Sequence, residues 1–274
     1  MNKPASNERY TPGYAGEVVT QFQQRTAGRE AAFLLPYLRL GFKILDCGCG
    51  PGSITCGLAK AVAPGPVTGI DVEITQTREV LSGCNSAGVT NLEFVQGNVY
   101  DLPFPDESFD GVFAHALLQH LQDPVRALKE MRRVLKPGGI VGVRDDDRGS
   151  LIIAPYDARV IRLIDLLEKL VLHGGGDARI GRRHREVLRK AGFEKIHASA
   201  SCECDGTPEA TRRRGCMAAH AAETYLTGVA VQQGWATAVE LKEMATACRT
   251  WAEHPDAFDT ITWCEAVDSK PAKD

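Results

Sequence analysis

Residues Ile44 to Thr55 read Ile-Leu-Asp-Cys-Gly-Cys-Gly-Pro-Gly-Ser-Ile-Thr. A run from Phe42 to Leu45, apolar but for Lys43, reaches an acid at Asp46, passes Gly48, Gly50 and Gly52, and meets a stretch able to start a helix. That order is strand, glycine turn, helix. Only glycine lets a backbone turn this tightly and admit a ligand against its amides, so the three spaced glycines mark a binding loop. The helix that follows points its positive end at the ligand, which suits a carboxylate or a phosphate. Spacing narrows the choice. A dinucleotide fingerprint needs Gly-x-Gly-x-x-Gly, but counting from Gly48 its last position falls on Ser53, and the third glycine sits one residue early at Gly52.

Working outward, Val67 to Ile70 reads as a second strand, entered through Pro64-Gly65-Pro66 and ending on Asp71. An acid at that point of an α/β unit is placed to accept both hydroxyl hydrogens of a ribose. Leu92 to Val95 is a third strand, followed by Gly97-Asn98-Val99-Tyr100-Asp101-Leu102-Pro103-Phe104-Pro105. Phe109 to Ala114 is a fourth, then a loop carrying His115 and His120, then a helix from Ala127 to Leu135 that Lys136-Pro137-Gly138-Gly139 stops. A fifth strand, Ile140 to Arg144, runs into Asp145-Asp146-Asp147-Arg148. Five strands alternating with helices predict an α/β fold with a parallel, doubly wound sheet. Ligands of such sheets bind at the carboxyl ends of the strands, where the glycine loop, Asp71, Asn98, His115 and Asp145 all fall.

Four features in this order, namely Asp46-x-Gly48-x-Gly50-x-Gly52, Asp71, Leu102-Pro103-Phe104-Pro105 and Leu135-Lys136-Pro137-Gly138-Gly139, resemble the class I S-adenosylmethionine (SAM)-dependent methyltransferases. The likeness sits closest to the ubiquinone and menaquinone biosynthesis type of small-molecule enzyme and covers residues 10 to 150 and the last strand. It implies a Rossmann-like, mostly parallel seven-stranded sheet whose final strand is antiparallel. It further implies N-terminal helices over the cofactor and a helical insertion that caps the acceptor. The cofactor implied is S-adenosyl-L-methionine. Asp46, Gly48, Cys49, Gly50 and Gly52 would hold its amino-acid end, Asp71 and Val72 its ribose, Asn98 and the Val99 amide its adenine, with His115 beside the pocket. Where the family has an acid, this chain has Asn98, whose amide oxygen accepts the same hydrogen bond more weakly.

The domain boundaries expected are a helical cover at 1–40, a SAM-binding core at 41–150, an acceptor-side region with lid helices and a sixth strand at 151–256, a final strand at 257–268 and a disordered tail at 269–274. In the cover, apolar residues at helical spacing from Tyr14 to Leu38 predict two helices, which either shield a sheet edge or, as the resemblance implies, lie over the cofactor with Tyr14 and Arg25-Thr26-Ala27 as parts of that cover. Further on, helices are expected over 157–173, 180–191, 209–233 and 237–253, and strands over 193–201 and 259–267. Gly174-Gly175-Gly176 is either a hinge or a passive connector.

The chemistry implied is in-line transfer of a methyl group to an oxygen, nitrogen, sulfur or activated carbon of a small-molecule acceptor. It requires orientation, exclusion of water and, for a protonated nucleophile, a base. The candidates for that base are His115, Asp145 and Asp146. No metal site is expected. The alternatives are a thiol or arsenic methyltransferase, suggested by the cysteines, and a non-catalytic SAM-binding protein.

Composition sets outer limits. The 274 residues can bury one substantial core, and 43% hydrophobic with 24% charged residues is ordinary for a globular protein. A net charge of -3 gives no reason to expect nucleic acid as partner. The polar start and the lack of a long apolar run suggest a cytoplasmic protein without a membrane partner. Nine cysteines without an export signal should be mostly free thiols, and neither the Cys47, Cys49, Cys56 group nor Cys202-x-Cys204 has zinc spacing. The oligomeric state stays open, a homodimer among the options.

Overall fold

The computed structural model describes residues 22–272. Seven strands, β1 (Ile44–Cys47), β2 (Val67–Asp71), β3 (Leu92–Gln96), β4 (Phe109–His115), β5 (Leu135–Ala154), β6 (His197–Asp205) and β7 (Phe258–Ser269), form one sheet in the order β3-β2-β1-β4-β5-β7-β6. β1 to β5 are parallel, while β7 runs antiparallel between β5 and β6. This is the α/β, Rossmann-like, doubly wound arrangement expected. The strand order reverses between β1 and β4, which opens a crevice at the end of β1.

Period-two alternation sorts the strand residues into two cores. Leu45, Cys47, Val112 and Ala114 point to one face, packed with Leu128 and Met131 of α4 (Pro124–Val134) and Val187 and Leu188 of α6 (His184–Lys190). Ile44 and Phe113 point to the other face, against Ile54 and Leu58 of α2 (Ser53–Val62) and Ala27 of α1 (Ala27–Glu30). α3 (Arg78–Ser86) flanks the same side. A third core lies among helices: Leu163, Leu166 and Leu170 of α5 (Ala158–His173) meet Ala219 and Ala222 of α7 (Pro208–Glu223), Leu226 of α8 (Tyr225–Gln232) and Trp251 of α9 (Ala238–Ala252). Each leucine so buried contributes about 1.5–3 kcal/mol.

Several elements depart from the sequence reading. Between residue 22 and β1, the second expected helix is two short pieces, α1 and a 3-10 turn at Leu35–Tyr37 that contains Pro36. The first expected helix and Tyr14 lie outside the described residues. α4 starts at Pro124, capped by Asp123, whose Oδ1 accepts the Arg126 N–H at 2.9 Å. β5 is twenty residues long rather than five, with a register shift between Asp147 and Ile152. The helix expected over 180–191 divides into a 3-10 turn, Ile180–Arg183, and α6. That expected over 209–233 is two helices, broken at Thr224 (φ -119, ψ -100). β6 begins at His197, four residues later than read.

Most cysteines are free thiols, as expected, but Cys56 and Cys84 form a disulfide that ties α2 to α3. The other seven are free.

Candidate active site

At the end of β1 the chain makes three successive left-handed turns, with φ of +70 at Gly48, +53 at Gly50 and +89 at Gly52. A side chain at Gly52 would meet the Phe94 ring at 2.2 Å, whereas at Gly50 nothing lies within 4 Å and the backbone faces open space. The loop hangs on β2: the Gly48 N–H donates to the Ile70 carbonyl at 2.8 Å, and the Gly50 N–H to Asp71 Oδ2 at 3.0 Å. Asp71 Oδ1 accepts the Glu73 N–H at 3.0 Å. Each oxygen keeps a lone pair for a further donor. Burial raises the Asp71 carboxyl above its ordinary value, against these two N–H donors.

Asp46 sits beneath the loop, almost fully buried, and accepts the Thr55 hydroxyl at 2.7 Å. Burial pushes its carboxyl up to about 7, so a cation placed beside it would favour ionisation. Cys49 is buried with its thiol 3.8 Å from the Gly50 carbonyl, and burial raises the thiols of both Cys47 and Cys49 well above the usual range. These are packing groups at neutral pH, not thiolates. Asn98 accepts the Tyr100 N–H at 2.9 Å with its side-chain oxygen, which is therefore already engaged once.

A cavity of about 700 Å³ runs from this loop toward the helical region. Its near end is lined by Asp46, Gly48, Cys49, Gly50, Asp71, Val72, Asn98 and Val99, so the structure brings together all the predicted cofactor residues except Gly52, which is spent on the Phe94 contact behind the loop. The far end is lined by Leu151 and Ile153 of β5, Ile164 and Leu167 of α5, Met217 of α7 and Trp251 of α9. These side chains are largely apolar, while Arg148, Glu203, Asp205, Arg213, Arg214 and Asp259 line the same cavity, with Arg213 paired to Asp205 and Arg214 to Asp259.

The three candidate bases fare differently. His115 lines the cavity but is locked: Arg144 Nη1 donates to its Nε2 at 2.9 Å, Glu30 Oε2 lies 3.5 Å away, and the ring stacks on Trp263 with centroids 4.9 Å apart. Burial pushes it down to about 4, despite the Glu30 contact. A nitrogen so weakly basic, with its lone pair already taken by a guanidinium, does not serve as a general base, and that expectation is corrected. Asp145 is not on the cavity wall; it accepts the Gln119 N–H at 3.2 Å and contacts His184 Nε2 at 2.9 Å, fully buried. It is a structural anchor. Asp146 does line the cavity, its Oδ1 takes no hydrogen bond among the described residues, and burial raises its carboxyl.

Sequence reading missed the network that holds His115. Arg144 is 3% exposed and meets Glu30, Glu265 at 3.3 Å and the Trp263 ring at 4.3 Å. Burial opposes ionisation of Glu30, but His115, Arg144 and Arg29 together pull it down to about 2. The only signal was a lone arginine inside an apolar strand, a position where an unpaired charge would be prohibitive. Glu30 and Glu265, the partners, are far away in sequence.

The methyltransferase domain family matches residues 45–143. The chain is similar to the protein named "Probable methyltransferase ltbC" of Aspergillus luteorubrus, 33% identical over 97% of this chain and 99% of that one. It is also similar to demethylmenaquinone methyltransferase of Staphylococcus aureus, 40% identical over 124 residues, which are 45% of this chain and 51% of that one. Among solved structures, phosphoethanolamine N-methyltransferase 2 of Haemonchus contortus shares the fold, with a TM-score of 0.58 and 16% identity over 96% of this chain and 59% of that chain. With a relative alike from end to end and a strand order and glycine loop to match, this chain belongs to the class I SAM-dependent methyltransferases.

Proposed function

We propose that this enzyme methylates a small molecule with an apolar body, bound in the far half of the cavity and approached in line by the methyl group of SAM in the near half. One observation carries the reading: the cavity is continuous from the glycine loop to the apolar side chains Ile164 and Leu167 of α5, Met217 of α7 and Trp251 of α9. Its volume is in the range of small-molecule sites, roughly 300–1,000 Å³.

The residues present fit the cofactor. Gly50 offers bare backbone to the cavity, the N-terminus of α2 favours a carboxylate, Asp46 favours an amino group, and Asp71 retains acceptor capacity for ribose hydroxyls. Asn98 and Val99 stand where adenine would lie, with one Asn98 lone pair left to accept an amino hydrogen. When bound, SAM supplies a methyl group on a sulfonium, already activated for displacement. The chain's own part is to orient the acceptor, keep water out and take a proton where the nucleophile carries one. Of the three candidates, Asp146 alone combines a place on the cavity wall with an uncommitted oxygen, and we assign it the proton.

The arsenic alternative loses support from the loop cysteines, because Cys56 is in a disulfide and Cys47 and Cys49 are buried thiols. Calorimetry with SAM, S-adenosylhomocysteine and NAD tests the cofactor, and labelled SAM with a metabolite extract tests the transfer. Micromolar NAD binding with no response to SAM would end this reading, and SAM binding without any labelled product would favour a non-catalytic role.

A further inference from the structure

Where β5 leaves the parallel core, two opposite charges stand side by side on the cavity wall. Arg148 Nε lies 3.7 Å from Asp146 Oδ2, beyond hydrogen-bond reach. Asp146 Oδ1 and Arg148 Nε are both buried and take no hydrogen bond among the described residues. Tyr225, at the start of α8, shares the wall; its hydroxyl has no hydrogen-bond partner among the described residues, and the Arg148 charge acts on it. Leu151, Ile153, Ile164 and Trp251 line the same cavity, and so do the charged pairs Arg213–Asp205 and Arg214–Asp259, whose members already neutralise each other. Buried polar groups are ordinarily satisfied, so the two unsatisfied ones on this wall need a ligand or water to complete them, with the half-buried Tyr225 beside them.

We propose that Asp146, Arg148 and Tyr225 form the recognition end of the acceptor site and select a neutral, hydroxyl-bearing acceptor over anionic and cationic ones. This rests on the methyl-transfer reading above and names the acceptor class it left open. The physical reason lies in the adjacency of the two charges. A carboxylate or phosphate drawn to Arg148 would stand against Asp146, and an ammonium drawn to Asp146 would stand against Arg148. Either ion would lose its hydration for little net attraction. A hydroxyl loses less and does both jobs, donating to the carboxylate and accepting from the guanidinium, with Tyr225 as a second hydrogen-bonding partner. Selectivity of this kind comes as much from repulsion of the wrong partners as from attraction of the right one.

Three probes with one ring system separate the classes: 2-naphthol, 2-naphthoate and 2-naphthylmethylamine, neutral, anionic and cationic near pH 7. Their binding would be measured by calorimetry on the full chain saturated with S-adenosylhomocysteine. The naphthol should bind about tenfold or more tightly than either ion. Asp146→Asn should shift the preference toward naphthoate, and Arg148→Gln toward the amine, each by about tenfold relative to naphthol. Tyr225→Phe should weaken naphthol a few-fold. Opposite shifts from neighbouring residues are not what general damage to the fold produces, and unchanged S-adenosylhomocysteine affinity checks each variant. The proposal is overturned if an ion binds as tightly as naphthol, if none of the three binds, or if the variants keep the wild-type preference. If S-adenosylhomocysteine itself fails to bind the wild-type chain, the methyltransferase reading fails first.

Discussion

Asp71 Oδ2 accepts the Gly50 N–H at 3.0 Å, so the acid at the end of β2 also props the glycine loop at the end of β1. A ribose contact and the shape of the loop thereby depend on one side chain. Replacing it by asparagine leaves one acceptor oxygen and turns an amide NH2 toward a backbone donor. Charge-assisted hydrogen bonds are worth about 1.5–3 kcal/mol each. Asp71→Asn should therefore weaken SAM binding by roughly tenfold to a few hundredfold, measured by calorimetry, with the fold intact. An unchanged dissociation constant would show that the ribose is held elsewhere.

Acid should destabilise the ligand-free protein in a defined window. Burial pushes His115 and His120 each down to about 4, against about 6.5 in an unfolded chain. Above the unfolded value both states are neutral and nothing is lost. Between 6.5 and 4 the unfolded chain takes up two protons that the native state refuses. Asp46, pushed up to about 7 by burial, holds one proton in the native state across the same window and offsets one of them. The remaining proton gives a loss of up to about 1.4 kcal/mol per pH unit on acidification. Urea titrations near pH 7, 6 and 5 read this slope, which Asp46→Asn should roughly double. A flat profile in both proteins would mean that the two histidines are reached by water.

The glycines after α5 sit in a tight turn. A side chain on Gly176 would meet the Gln119 carbonyl at 2.2 Å, and one on Gly175, which has φ of +86, would meet Gln122 at 2.7 Å. The Asp177 N–H donates to that same Gln119 carbonyl at 2.9 Å. These contacts are those of a packed connector and count against a swinging hinge. Gly176→Ala should lower stability by about 1–3 kcal/mol through overpacking, seen as a lower Tm. A variant with wild-type Tm and altered acceptor affinity would restore the hinge.

The disulfide makes a simple count. Titration of thiols in denaturant without reductant should find seven, not nine. Cys84→Ser, which opens a link between residues 28 apart, should cost about 3 kcal/mol of stability. Nine reactive thiols in freshly prepared protein would show the pair to be reduced.

The core was legible because its signals are local. Strand periodicity, the Gly48 to Gly52 spacing and the acid at Asp71 each lie within a few residues, and physical rules act at that range. What escaped depends on distance along the chain. Arg144 is paired with Glu30 and Glu265 on opposite ends of the sequence, and no spacing announces that His115 is spoken for. Cys56 and Cys84 meet only because two helices pack together. Asp145 and Asp146 are neighbours in sequence, yet in a strand successive side chains point to opposite faces, so only one of them reaches the cavity. Counting alternation from Val143 would have separated the two had the true length of β5 been known.

That length matters to anyone recombining enzymes of this kind. β5 carries Arg144 of the inner network, Asp146 and Arg148 of the acceptor end, and Leu151 and Ile153 of the apolar wall on one continuous strand, laced to β7 as far as Ala154. A chimera joined at residue 150 would splice two parents in the middle of this ladder, across its register shift between Asp147 and Ile152. The serviceable crossover lies beyond Ala154 and before α5, and β7 has to travel with whichever parent contributes β5.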